Sequence, residues 1–343
     1  MLADALEPHA DVDVVDVVPL LGRLVAGAAE GGMEKTFGAG RMHWFFDLEY
    51  LLFSRLPTRR LGQFVLYRLT RRRLLEAAAR YDLVVSTYPI ASEVLGRLRA
   101  HGALRVPVCS AITDLAALRY WAHPGVDLHL VTHPESIEEV ESIAGRGSAR
   151  AVRGLTVPGF LTPPTVARAR RLLALPLDAR VVAVSGGGWG VGDLAGAVRT
   201  ALELDGVRVL LLCGRNEALR QRLAGAFDER VRVLGFVEDM PTLLAATDVL
   251  VHSTAGLTVL EAHMLGCRVI SYGWGVGHVR VNNRAFARFG LAEVVRSRRH
   301  LREGLERALA APRTPHLDEF AELPAAAELV LALASRELSA AHA

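Results

Sequence analysis

Thr247-Asp248-Val249-Leu250-Val251-His252-Ser253-Thr254-Ala255-Gly256-Leu257-Thr258-Val259-Leu260-Glu261-Ala262 is the stretch whose reading decides the fold of this 343-residue chain. The apolar run Val249 to Val251 reads as a buried strand, Ser253 to Gly256 as a turn of small residues, and a helix opens near Leu257. The first N–H groups of a helix have no partner within it, and its aligned peptide dipoles leave that end positive. Small turn residues let an anion approach the backbone. Ser253, Thr254, Ala255, Gly256, Leu257 and Thr258 therefore form a candidate cradle for a diphosphate. Glu261, one turn inside the helix, is placed to accept hydrogen bonds from ribose hydroxyls, although an ordinary helix-surface carboxylate would look the same.

Outward from this stretch, strand-like runs alternate with helical patterns: Val12 to Val18, Leu83 to Ser86, Val106 to Ile112, Leu128 to Thr132, Val181 to Ser185, Val207 to Cys213, Val231 to Leu234, Val249 to Val251 and Arg268 to Tyr272. Such alternation implies parallel sheets in an α/β protein. Gly154 to Pro164 is rich in proline and glycine and marks a hinge. The expected architecture is two doubly wound, Rossmann-like domains facing a cleft. Residues 1–158 form the first, 165–324 the second, and a final helix over 325–343 packs back across the hinge.

Composition fits a folded protein of two ordinary domains, with 51% hydrophobic residues and a formal net charge of only +3. Cys109, Cys213 and Cys267 are far apart, odd in number and set in apolar runs, as suits reduced, buried thiols in the cytoplasm; they match no zinc or redox spacing. No apolar run reaches the roughly 18 residues needed to cross a bilayer, and the N-terminal residues lack the pattern of a signal peptide. The modest charge and the lack of a binding motif speak against nucleic acid as a partner.

Several motifs stand in register around the opening stretch. Val184-Ser185-Gly186-Gly187-Gly188-Trp189-Gly190 follows one strand, Leu212-Cys213-Gly214-Arg215-Asn216 ends the next, and Gly235-Phe236-Val237 with Met240 ends a third. Gly277-His278 and Asn282 come after the last. Upstream lie Ser86-Thr87-Tyr88-Pro89, Thr113-Asp114, Trp121 and Val126-Asp127. Together they resemble the two-domain GT-B glycosyltransferases of the glycosyltransferase 28-like group, in the monogalactosyldiacylglycerol-synthase and processive diacylglycerol glycosyltransferase branch, related to MurG.

The resemblance implies an inverting transfer of a hexose from a UDP-sugar to a membrane lipid, most naturally diacylglycerol, with the UDP-sugar as co-substrate and no cofactor or metal. It places Ser185, Gly186, Gly187, Gly188 and Gly214 on the donor, the backbone at Phe236 and Val237 on the uracil, and His278 and Asn282 at the sugar. The group's Gln-Glu pair has here become His278-Val279, which leaves the sugar open. Negative charge grows on the departing diphosphate, so dipoles aimed at it stabilise the transition state without an ion.

Two rival chemistries fail on spacing. The glycine run has no Gly-x-Gly-x-x-Gly register, and its second strand ends in Cys213-Gly214 rather than an acidic residue, which disfavours a dinucleotide. Asp11 and Asp13 suggest a metal-binding pair, but strand alternation would leave them solvated. One departure is larger: the first strand and glycine-rich turn that open the group's first domain are absent. Val12 to Val18 then reads as the second strand, and either the chain start is truncated, which is the expectation, or the N-terminal half is compromised.

Asp114 and His123 are the candidate catalytic bases; a helix-capping Asp and a surface His are the plain alternatives. Asp114 follows a buried strand, at the end where α/β sheets bind ligands. The histidine that the branch carries a few residues after this Asp is Leu118 here. Residues 37–73 interleave aromatic and basic side chains, among them Trp44, Phe45, Phe46, Arg55, Arg59, Arg60, Arg68, Arg71, Arg72 and Arg73. That pattern suits an anionic membrane surface at the inner face of the cell membrane, or a helix packed on its own domain with a solvated basic face. Three further readings stay open: MurG-like transfer to a polyprenyl-linked precursor, a non-catalytic nucleotide-sugar or lipid-binding relative, and a nucleotide-sugar epimerase.

Overall fold

The computed structural model describes residues 1–21, 58–253, 256–273 and 278–341. They divide into two compact units, Met1–Leu155 with Glu322–Ala343, and Thr156–Ala321.

The first unit opens with a short helix, α1 (Leu2–Leu6), and continues through α2 (Thr58–Ala78), β1 (Val84–Ser86), α3 (Pro89–Ala100), β2 (Val108–Ile112), β3 (Leu128–Val131), α4 (Ile137–Ala144) and β4 (Ala149–Ala151). Its strands form a four-stranded sheet in the order β1-β2-β3-β4, with every pair parallel. All five residues of β2 are buried, as a strand covered on both faces requires. Val94, Leu95 and Leu98 of α3 pack with Leu74, Leu104, Val108 and Val126. Asp127 fastens this layer, accepting from Val108 N at 2.8 Å and from Arg99 Nε at 2.9 Å.

Val12 to Val18 is not a strand. Residues 11–16 are irregular, Val14 is 84% exposed, and a 3-10 turn follows at Pro19–Leu21. The aspartates that made the run look alternating serve local bonds instead: Asp16 Oδ1 accepts from Val18 N at 3.0 Å and Asp13 Oδ2 from Tyr81 OH at 3.0 Å. Such side-chain bonds compete with a ladder.

The second unit runs through α5 (Val166–Leu172), β5 (Arg180–Ser185), α6 (Leu194–Leu202), β6 (Val207–Leu212), α7 (Glu217–Leu223), β7 (Val231–Leu234), α8 (Met240–Ala246), β8 (Val249–His252), α9 (Leu257–Met264), β9 (Arg268–Tyr272), α10 (His278–Arg288), β10 (Glu293–Val295), α11 (Arg298–Ala310) and α12 (Leu317–Ala321). Its six parallel strands lie in the order β10-β9-β8-β5-β6-β7. Strand order reverses between β5 and β8, and the crevice at such a switch point, outside the carboxyl ends of the strands, is where doubly wound sheets take ligands. Val182, Val184, Val209, Leu211, Val249 and Val251 form the centre of its core. At the opposite edge Asp248 accepts from Val181 N at 2.8 Å and, through its two oxygens, from Nη2 of the buried Arg170 at 2.9 and 2.8 Å.

The last helix, α13 (Ala326–Ala341), belongs to the first unit. Arg153 N donates to Pro324 O at 3.1 Å and Ala326 N to Arg153 O at 2.9 Å, and Ala326 and Val330 are buried with Leu6 and Leu155. The sequence pattern missed β4 and β10. Each has three residues, too few to show a period.

Candidate functional site

Ser185 and His252 are register partners, so β5 and β8 end level and the loops after them lie side by side at the switch point. Ser253 N donates to Ser185 O at 3.3 Å, and the Ser253 hydroxyl donates to Val191 O. Gly192 makes this approach feasible: a Cβ there would fall 2.7 Å from the Cβ of Ser253. On the other side, Arg215 N donates to Gly188 O at 2.7 Å and Asn216 Nδ2 to Trp189 O at 3.2 Å. The glycine run is thereby held between the ends of β6 and β8, and Ser185 Oγ accepts from Gly187 N at 3.2 Å.

Helix caps separate the site from its surroundings. Thr165, Asp193, Asn216, Asp239 and Ser297 cap α5, α6, α7, α8 and α11, each side chain accepting from an N–H of the first turn. The cap of α9 is Gly256, which has no side chain to do so. The glycine run therefore feeds a helix already closed by the Asp193 carboxylate, whereas the helix after β8 has no side-chain cap and a positive end. An added anion would be repelled at α6 and attracted at α9. Thr254 and Ala255 of the expected cradle lie outside the described residues; Leu257 and Thr258 are half-buried in the first turn.

Glu261 is only 8% exposed and makes no hydrogen bond or ion pair among the described residues. Burial pushes its carboxyl up to about 7. Helical side chains lean toward the N-terminus, so the group leans toward the first turn of α9. Its oxygens have acceptor capacity that a pair of ribose hydroxyls would fill.

Two clusters at this edge were not visible in the sequence. The Arg215 guanidinium lies 4.3 Å from the ring centroid of Phe236, which is 53% exposed at the end of β7 beside the half-buried Val237. Asp193 Oδ2 accepts from Arg298 Nη2 at 3.2 Å and Tyr272 OH at 3.3 Å, while its Oδ1 caps Gly196 N at 2.9 Å. A small recess is lined by Ser185, Asp193, His252, Ser253 and Tyr272. Asp193 carried the signal of a helix cap after a glycine turn; Arg298 comes from a helix 105 residues later, which no local pattern reveals.

The expected sugar residues fare differently. The His278 side chain lies outside the described residues, and Asn282 is fully buried, so it presents no surface to a ligand. Its neighbour Asn283 accepts from Ser271 Oγ at 2.8 Å, and the rings of Phe286 and His252 meet edge-to-face at 6.2 Å, which seats α10 against the ends of β8 and β9.

In the first unit Asp114 follows β2, half-buried, and Oδ2 accepts from Trp121 Nε1 at 3.0 Å. His123 has another employment. Its Nδ1 accepts from Gly125 N at 3.0 Å, and its own N–H donates to His129 Nε2 at 3.3 Å. Burial pulls its imidazole down to about 4, with the charges of Arg97, His129 and His101 adding. The lone pair a base needs is thus committed to the turn, and Asp114 is the other of the two candidate bases. Leu118 is fully buried in the core.

Trp44, Phe45, Phe46 and Arg55 lie outside the described residues, as do the side chains of Arg59 and Arg60. On α2, Leu61 is 65% exposed, and Phe64, Val65 and Leu69 are exposed as well, among Arg68, Arg71, Arg72 and Arg73. The Arg68 guanidinium lies over Phe64 at 5.8 Å. Among the described residues no helix is long and apolar enough to cross a membrane.

Comparison with known proteins adds to this geometry. Residues 51–157 match the family model for monogalactosyldiacylglycerol (MGDG) synthase, and residues 189–292 the model for glycosyl transferases group 1. The MurG structure of Acinetobacter baumannii aligns with a TM-score of 0.52 at 16% identity, covering 79% of both chains. The fold is GT-B. Arabidopsis thaliana UGT89C1, solved with UDP, aligns with this GT-B chain at a TM-score of 0.53 and 14% identity, covering 82% of this chain and 80% of that one. In sequence, the processive diacylglycerol beta-glucosyltransferase of Bacillus subtilis is 26% identical over 289 residues, covering 82% of this chain and 74% of its own length. The protein of that name from Bacillus pumilus is 25% identical over 283 residues, covering 80% and 72%.

Proposed function

We propose that this GT-B protein is an inverting glycosyltransferase that moves a sugar from a UDP-sugar to a membrane lipid, diacylglycerol being the acceptor class its relatives' names support. The observation that carries the reading is the N-terminus of α9 at the switch point, which has no side-chain cap, with the buried Glu261, unbonded among the described residues, one turn inside it. In this reading the α9 amides hold the diphosphate and stabilise the charge that develops as it leaves, without a metal. Glu261 accepts from the ribose hydroxyls, and the exposed Phe236 with its Arg215 partner provides an apolar face at the uracil end. Asp114 takes the proton from the attacking lipid hydroxyl, and direct attack opposite the leaving group inverts the anomeric carbon.

The exposed Leu61, Phe64, Val65 and Leu69 on α2, set among arginines, support peripheral attachment to an anionic surface at the cytoplasmic face, where each basic residue contributes on the order of 1 kcal/mol. The test is direct: the protein is incubated with diacylglycerol liposomes and labelled UDP-sugar in the presence of a chelator. Labelled lipid is the expected result. Nucleotide binding without transfer would instead favour the binding-only relative, a reading that the burial of Leu118 and the committed His123 lone pair keep in view.

A further inference from the structure

β2 is an inner strand of the first sheet, and Asp114, the proton acceptor of the reading above, comes two residues past its carboxyl end. A base works only within about 2.6–3.2 Å of the group whose proton it takes, so a carboxylate on a swinging loop would seldom be in place. Something has to hold it.

The loop that carries Asp114 is tied down. Ser136 Oγ donates to Leu115 O at 2.9 Å, and Leu118 N donates to Glu139 Oε1 of α4 at 2.9 Å. Between these ties Ala117 has a φ of 67°, a left-handed conformation that a residue with a Cβ seldom adopts and that its surroundings must impose. The tie to the side chain itself comes from Trp121, whose Nε1 donates to Asp114 Oδ2 at 3.0 Å.

Trp121 is fixed in turn. It is buried in a cluster with Ile112, Leu118, Val131 and Val140, and its carbonyl accepts from Ser110 Oγ at 3.0 Å. Ser110 is a fully buried residue of β2, so the indole is anchored to the strand that leads into Asp114. Packing alone would be served by a phenylalanine ring. The indole adds one donor, and that donor is spent on the only carboxylate between Thr113 and Ala117. An indole N–H donates and cannot accept, so it can hold the carboxylate but can take no proton from it. Oδ2 is thereby occupied, while Oδ1 accepts no hydrogen bond among the described residues.

Resting on the assignment of Asp114 above, we infer that Trp121 is a positioning residue for the proton transfer, pinning Oδ2 and leaving Oδ1 to act. The lipid hydroxyl gives its proton to Oδ1 as its oxygen bonds the anomeric carbon and the bond from that carbon to the diphosphate breaks. The full chain is assayed with labelled UDP-glucose and diacylglycerol liposomes. Trp121→Phe should lower kcat about tenfold, the scale of one hydrogen bond to a charged group, with KM for both substrates within about twofold. Asp114→Asn should lower kcat about 100-fold or more, and adding Trp121→Phe to it should cost less than about twofold further, because the two act as one unit. An unchanged kcat in Trp121→Phe beside an inactive Asp114→Asn overturns the inference and leaves the base assignment standing. A tenfold loss that persists in the Asp114→Asn background also overturns it, since Trp121 would then act elsewhere. Wild-type kcat in Asp114→Asn, or no transfer by the wild-type chain, removes the reading on which the inference rests. If Trp121→Phe does not fold, nuclear magnetic resonance of the indole N–H groups decides: one of the four tryptophan signals should move in Asp114→Asn, and an unchanged spectrum overturns the inference.

Discussion

Two helix N-termini, α6 and α9, stand beside each other at the switch point of the second unit, and they are built in opposite ways. Each follows a central strand and a small-residue turn, yet α6 is closed by Asp193 and α9 is left open at Gly256. The glycine-rich turn before α6 is the more conspicuous in sequence, but its helix end is already satisfied. The missing side-chain cap is what sets the α9 end apart from the α6 end. The glycine run before α6 is held at Val191 by Ser253 and at Gly188 by Arg215.

Closing the open end is the strongest way to break this contrast. Gly256→Asp would place a carboxylate where the diphosphate binds, at a backbone position (φ 115°) that itself strains any side chain by about 1–3 kcal/mol. Nucleotide affinity is expected to fall more than about 100-fold, beyond what a single lost hydrogen bond gives, as read by calorimetry. Opening the closed end is the converse. Asp193→Ala removes the α6 cap together with the Tyr272 and Arg298 bonds, and denaturant unfolding should show a loss of about 1–2 kcal/mol. It should create no second nucleotide site.

Glu261 sharpens the comparison through pH. Its carboxyl in the folded protein titrates at about 7, against an ordinary value of 4.5. Between those values the folded chain keeps a proton that the unfolded chain releases, so this group lowers stability as pH rises from 4.5 to 7. Ribose hydroxyls need the ionised form, so wild-type UDP affinity should gain over that of Glu261→Gln as pH rises through 7. The variant should bind about tenfold more weakly at pH 8 while being at least as stable there. A constant affinity ratio between the two proteins from pH 6 to 8 would remove the ribose assignment. The smallest effect is expected from Arg215→Ala, which loses a cation–π contact of about 0.5–1 kcal/mol at an exposed site and should weaken UDP binding less than about fivefold.

The parallel-strand alternation and the succession of β8 and α9 were legible because both are local. β8, its turn and α9 occupy sixteen consecutive residues, and burial on both faces makes the strand a continuous apolar run. Val12 to Val18 misled because alternation of Val with Asp is also what side-chain turns look like. The opposition of α6 and α9 was half legible: Asp193 and Gly256 can be read as cap and non-cap, but their neighbourhood depends on the order of β5 and β8. The Asp193–Tyr272–Arg298 cluster joins three elements spread over more than a hundred residues, and the Arg215–Phe236 stack joins two strand ends. Neither has a sequence period. His123 looked like a base because residue type is visible in a sequence, whereas the direction of its lone pair is not.

The central claim is that main-chain amides at the start of α9 hold a diphosphate without an ion. Titrating the full chain with UDP and with uridine, both in excess chelator, tests it most directly. UDP should bind at one site about 100-fold or more tighter than uridine, since most of the binding would come from anion contacts at the helix end. Equal affinities, or UDP binding that vanishes with the chelator, would contradict the account.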